Sequence, residues 1–532
     1  MGRGDSHSLF HDGFYAFALF GWPPGIRIYA SQCTEAVILY GAKETSRLKL
    51  SGAGVWLVLS VAAIAQQTNL GHIDFPTSGS AEAQKHFVQG VLLLHSFEYA
   101  DAREEFQKAS SLEPHFAMAY WGEALTHTHP VWVQQDVAAA RAALKRLAPT
   151  ADERRALAAT EREKDYLESV EILYGEGDKV SRDNAYAKAM GRMMKKYPND
   201  LEAASLYAVA LLGTCQYERN EATYMRAAAV AEEVFAKNPQ HPGAIHYLIH
   251  AYDDPVHAPL GLRAARLYGK VAGSASHAQH MPSHIFFALG MWDEAIAANV
   301  ASVAVADERI KRKGLTAADR NYHSLTWLEY AYLQEGRVEE ARQLLSTIEL
   351  PVPRKHMRTI FAIETGEWDR SPADIDLSKG DLITNLSILN VKGLVAVAHG
   401  RMDEARQAAV EAKTLMESSG KTESLGAMAM PMGGEPPNTH RLAEIMIMQL
   451  EGAILFADGK LDEGLRLLAT AATKEDAVTF EFGPPTPPKP THELYGELLR
   501  KAGRKEEARE QFERTLQRAP GRRASETQIA GL

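Results

Sequence analysis

From Ser80 onward, apolar stretches of helical spacing alternate with short turns of small residues, and each turn is followed by an acidic, alanine-rich helix start. The turn recurs at Gly290-Met291-Trp292-Asp293-Glu294-Ala295, Gly336-Arg337-Val338-Glu339-Glu340-Ala341 and Gly400-Arg401-Met402-Asp403-Glu404-Ala405. It returns at Gly459-Lys460-Leu461-Asp462-Glu463-Gly464 and Gly503-Arg504-Lys505-Glu506-Glu507-Ala508, and its first copy is Phe97-Glu98-Tyr99-Ala100-Asp101-Ala102. A glycine there can take the left-handed conformation that ends a helix. The acidic pair then falls in the first turn of the next helix, where the helix dipole favours negative charge. Alanine lets the two helices approach closely. The pattern predicts an all-α chain of repeated helix hairpins, an α-solenoid.

Upstream of the repeats the pattern changes. Basic residues around Ser46–Lys49 precede an apolar run, Ala53 to Ile64, which ends at Ala63-Ile64-Ala65 before polar residues. This is the order of a secretory signal, too short to span a membrane comfortably. It predicts a leader at 1–47 that is not part of the working protein, a signal peptide at 48–65 cleaved after Ala65, and a linker at 66–79. The expected location is periplasmic or secreted, with membrane contact only through an uncleaved signal. The repeats divide into an array at 80–350, an irregular insert at 351–380, further hairpins at 381–520 and a tail at 521–532.

The first repeat carries Gly90, Ala102, Phe106, Ala109 and Pro114 before Ala117-Met118-Ala119-Tyr120-Trp121-Gly122. At these residues the chain resembles the tetratricopeptide repeat (TPR) family, and Glu493 to Pro520 resembles it nearly as well. The middle is degenerate: successive turn glycines from 290 to 503 are 46, 64, 59 and 44 residues apart, against an ideal period of ~34. The combination HYLIH, HMPSHIF, YHSL and GPPTPPKP is similar to a bacterial TPR subgroup. The resemblance implies a right-handed superhelix of degenerate hairpins whose concave groove receives a protein or peptide partner.

Composition narrows the function classes. With 45% hydrophobic residues the chain has ample material for a core. A net charge of -10 argues against a nucleic-acid binder. The two cysteines, Cys33 and Cys215, are too few for a disulfide framework. No G-x-S-x-G, H-E-x-x-H, Walker or dinucleotide fingerprint occurs. Two stretches interrupt the repeats. Ser418 to Thr439 reads as a long loop with alternating Met428, Met430 and Met432. Phe480 to Pro490 is too rich in proline for a helix and is expected to lie extended across the array or in its groove.

The remaining signal is histidine. Seven of the 20 histidines fall between His241 and His284. His246 and His250 are one helical turn apart on one face, a spacing suited to two ligands of one metal. His280 and His284 repeat that spacing in the next unit, with Pro282 between them marking a first helical turn or a kink. His323 opens the following unit. If the first helices of these units stand side by side, five imidazoles converge. Two functions remain open: a scaffold for a protein or peptide partner, or a metal-binding protein or metalloenzyme using zinc, copper or iron on His246, His250, His280, His284 and His323. Asp253, Asp254 and Glu329 are candidates to complete such a site. His257 and His277 rank lower because they lie near turns, and His241 is expected in solvent. His86, His95, His115, His127 and His129 are expected to be structural, with no matched pair on neighbouring helices.

Overall fold

The computed structural model describes residues 69–215, 219–367, 377, 380–419, 438–479 and 483–532. The leader, the signal and Met428, Met430 and Met432 fall outside them. Among the described residues the protein is all-α. The single β pairing there joins Thr128–His129 to Gln134–Gln135. Each helix packs chiefly on its neighbours in sequence and on the next but one. This is the signature of a solenoid of helix hairpins.

The hairpins form for the reasons visible in the chain. Gly290, Gly336, Gly400, Gly459 and Gly503 all have φ between 66° and 85°. The acidic pair lies in the first turn of Trp292–Lys313, Val338–Ser346, Met402–Ser419, Leu461–Asp476 and Lys505–Arg518. Ala102, Ala295, Ala341, Ala405 and Ala508 are fully buried where paired helices meet. In the first repeat the ring of Phe106 fills the space beside Gly90 and Gly122, where an added Cβ would come within 2.7 Å of it. Burying such a ring stabilises the fold by about 1.5–3 kcal/mol.

Several boundaries differ from expectation. The stretch read as a linker packs: Leu70, Ile73 and Phe75 are buried, and the Asn69 amide donates to Ser274 Oγ at 2.9 Å. The irregular insert opens with a regular helix, Pro351–Thr365, whose prolines sit in its first turn. The tail contains the helix Arg523–Ala530. Just before it, buried Arg522 donates to Glu493 at 2.6 and 2.9 Å, to Glu364 at 2.8 Å and to Tyr330 Oη at 2.8 Å. Both ends of the described chain therefore return to its middle. Asp101 near the start pairs with Arg309 and Lys313, and Trp292 Nε1 donates to the Gly521 carbonyl at 2.9 Å.

Candidate metal centre

The helix Pro242–Ala251 begins with proline at its first turn and is buried all round, so His246 and His250 both lie in the interior. The short helix Ser276–His280 is followed by Pro282–Ala288, and Met281 between them keeps right-handed helical geometry, with φ -52° and ψ -36°. His280 and His284 consequently stay on one side, with their Nε2 atoms 3.1 Å apart. The helix Tyr322–Gln334 brings His323 to within 4.5 Å of the His280 ring centre. His280, His284 and His323 present one ligand atom each, all within 4.8 Å of one another. His246, His250 and His277 form a second such set. The five predicted histidines thus come together, and His277 joins them although its turn position argued against it. The signal that could have placed it is the three-residue step from His277 to His280 on one helix face.

The hydrogen bonds fix which nitrogen faces inward. Asn299 Nδ2 donates to the Ala295 carbonyl, which turns its Oδ1 toward His280 Nδ1 at 2.7 Å. His280 Nδ1 therefore carries the proton. His284 Nδ1 donates to Asp253 Oδ2 at 2.5 Å, and His246 Nδ1 donates to the His95 carbonyl at 2.7 Å. In His246 and His280, which burial keeps neutral, Nε2 is left with the lone pair. The Nε2 atoms of His280 and His284 stand 3.1 Å apart, a separation suited to a hydrogen bond between the two rings or to a metal ion held by both. Burial, reinforced by the neighbouring imidazoles, holds His250, His277 and His280 well below the usual histidine range. Burial likewise pushes His246 down to about 3, although the His95 carbonyl opposes it. Neutral imidazole is the form that ligates a metal.

Aromatic rings enclose the two sets. Phe97 lies 4.2 Å from the His246 ring and Trp327 lies 4.4 Å from that of His284. Phe97 occupies the turn position that glycine fills in the later repeats, with φ of 54°, a conformation costly for a bulky residue. The turn that bears this strain delivers its ring to the histidines.

Other histidines and acids separate from this centre. His241 is fully buried rather than solvated. It caps Pro242–Ala251 through Nδ1, which accepts from the Ala244 amide, and its Nε2 donates to Glu202 at 2.9 Å. His95 has the partner that its sequence neighbourhood did not reveal: its Nε2 donates to the other Glu202 oxygen at 2.6 Å, and its Nδ1 accepts from Tyr247 at 2.8 Å. Burial opposes ionisation of Glu202, but the two imidazoles outweigh it and hold the carboxyl well below its usual range. Asp254 turns away to His257 and Arg219. Glu329 is buried with neither carboxylate oxygen hydrogen-bonded, and burial raises its pKa far above the ordinary value.

A cavity of about 80 Å³ adjoins the centre, lined by Asp253, His284, Phe287, Tyr330, Gly483 and Pro485 among others. That volume admits a few waters or a small molecule. The proline-rich segment forms its opposite wall. An added Cβ at Gly483 would come within 2.7 Å of Trp327, while Gln449 Nε2 donates to the Lys489 carbonyl at 2.8 Å. The surface beside the histidines is thus covered by the chain itself.

No family model matches the chain, and no curated protein does either. Among solved structures it is similar to the Cut9–Hcn1 hetero-tetramer of the APC/C, at 11% identity over 90% of this chain and 81% of that one, with a TM-score of 0.33. Yeast Tom70 is similar at 11% identity over 84% and 88%, with a TM-score of 0.31. The P58(IPK) TPR domain follows at 14% identity over 85% and 97%, with a TM-score of 0.21.

Proposed function

We propose that this TPR-like solenoid is a metal-binding protein, with a transition-metal ion on His280, His284 and His323 and with His246 and His250 beside it. The observation that carries the reading is that His280, His284 and His323 each present one ligand atom within 4.8 Å of the others, while Asn299 and Asp253 hold the far ring nitrogens of His280 and His284. Hydrogen bonds from the far ring nitrogen to Asn299 and Asp253 are the arrangement that orients metal-ligating histidines. Three protein ligands leave a coordination position open, as in reactive rather than purely structural centres. An all-imidazole set suits zinc, copper or iron. The similar solved structures lend the metal no support, so the geometry carries it alone. Protein purified without a His tag, stripped with chelator and offered each metal tests it. Micromolar or tighter binding of at least one is expected, with His280→Ala losing most of it. Failure to bind zinc, copper or iron at micromolar concentration would end the reading.

The repeat architecture supports a second reading, a scaffold for a protein or peptide partner. Because the segment around Gly483 to Pro490 covers the surface next to Trp327, such a partner would be received on other faces. Export, with cleavage after Ala65, is part of the proposal and rests on the sequence at 48–65.

A further inference from the structure

We propose that the centre holds two metal ions rather than one, the first on His246, His250 and His277 and the second on His280, His284 and His323. The inference rests on the metal-binding reading and goes beyond it in number and in ligands. Six imidazoles exceed what one ion of this class collects from a protein, since such ions take three or four nitrogen ligands at about 2.0–2.1 Å. Ligands at that range lie roughly 3.3–3.6 Å from one another around the ion. The closest pair in each set approaches this edge: 3.2 Å between Nε2 of His246 and His277, and 3.1 Å between Nε2 of His280 and His284. Within each set every ring offers one ligand atom within 4.8 Å of the other two, and among the described residues no three imidazoles drawn from both sets do so. The six therefore divide into two triads that share a border.

Asp253 stands at that border. It is buried, it groups with His250 of one triad and His284 of the other within 4.8 Å, and its Oδ1 has no hydrogen-bond partner among the described residues. A buried carboxylate oxygen left over beside two imidazole triads is placed to answer positive charge from both. Two dications against this one carboxylate leave an excess charge, which a hydroxide or similar small anion drawn between them would relieve. Each triad also has its own anchor, the His95 carbonyl for His246 and Asn299 for His280, so neither depends on the other for its orientation.

The test is stoichiometry on the full, untagged chain, stripped and then reloaded with zinc or copper(II), with metal counted by plasma emission. Wild type is expected to hold two ions per chain, and His277→Gln and His323→Gln one each. In the copper(II) form, the wild type should show fewer unpaired spins by electron paramagnetic resonance than its copper content, because adjacent ions couple. Each single variant should show one isolated spin per ion. One ion in wild type, retained in His277→Gln, would overturn the second site and leave the metal reading standing. No ion in wild type would overturn both. Loss of both ions in His277→Gln, with helicity unchanged by circular dichroism, would overturn the division into independent triads.

Discussion

The group around Glu202 and the group around His280 are both rich in histidine, and each brings three ligand atoms within 4.8 Å of one another. They are wired in opposite senses. At Glu202 every imidazole nitrogen has a matched role: His95 and His241 each donate to one carboxylate oxygen, and their other nitrogens accept from Tyr247 and a backbone amide. Gly243 permits this, since a Cβ there would come within 2.3 Å of the His95 ring. At His280 the far nitrogens of His280 and His284 are held by Asn299 and Asp253, and their Nε2 atoms face each other 3.1 Å apart. Clusters of ligand-type residues are therefore told apart by where their protons go. The first group is a closed network around one carboxylate, and the second keeps three imidazole ligand atoms grouped within 4.8 Å.

Breaking the closed network should cost the most. Glu202→Ala strands two buried imidazoles and is expected to destabilise the fold by about 3–5 kcal/mol in urea or thermal melts, with metal content unchanged. A loss of metal instead would mean that the two groups do not differ as argued. Weakening the outward wiring of the open group should cost less. Asp253→Asn replaces the carboxylate that orients His284, and metal affinity should fall about 10–100-fold while the melt of the metal-free protein moves little. Equal metal affinity in a competition titration would mean that Asp253 does not orient His284 for a metal. The smallest effect concerns the hairpin turns. Gly400→Ala meets no neighbour within 4 Å and suffers only from its positive φ, so a loss of about 1 kcal/mol is expected. Gly290→Ala should lose more, because its Cβ would press on the Pro520 carbonyl at 2.7 Å. Equal losses in parallel melts would show that the C-terminal end does not bear on this turn.

Much of the scaffold was legible. Glycine at a helix end and a following acidic pair act within one turn of chain, so the hairpins at 290, 336, 400, 459 and 503 stood where the sequence placed them. The helix Pro351–Thr365 lies where an irregular insert was expected, and its two prolines fit because they fall in its first turn. His241 was misjudged for a related reason: an Asn-Pro-Gln-His-Pro stretch looks like a surface turn, but here it caps a buried helix. Phe97 carried no warning, since nothing local says that a phenylalanine will accept a glycine's conformation.

By itself the sequence determined the repeating hairpin and the paired histidines of His246 with His250 and His280 with His284, because helical spacing is a property of neighbouring residues. Only the tertiary structure decided what those histidines do. The acceptors that fix their protons lie far along the chain, Asp253 being 31 residues from His284 and the His95 carbonyl 151 residues from His246. The return of Asp101 and of Arg522 to the middle of the solenoid, like the covering of Trp327 by Gly483, depends on pairings more than 150 residues apart. Local periodicity sets which face a side chain occupies. The direction of its proton, and so its chemistry, is set by whatever the fold brings opposite.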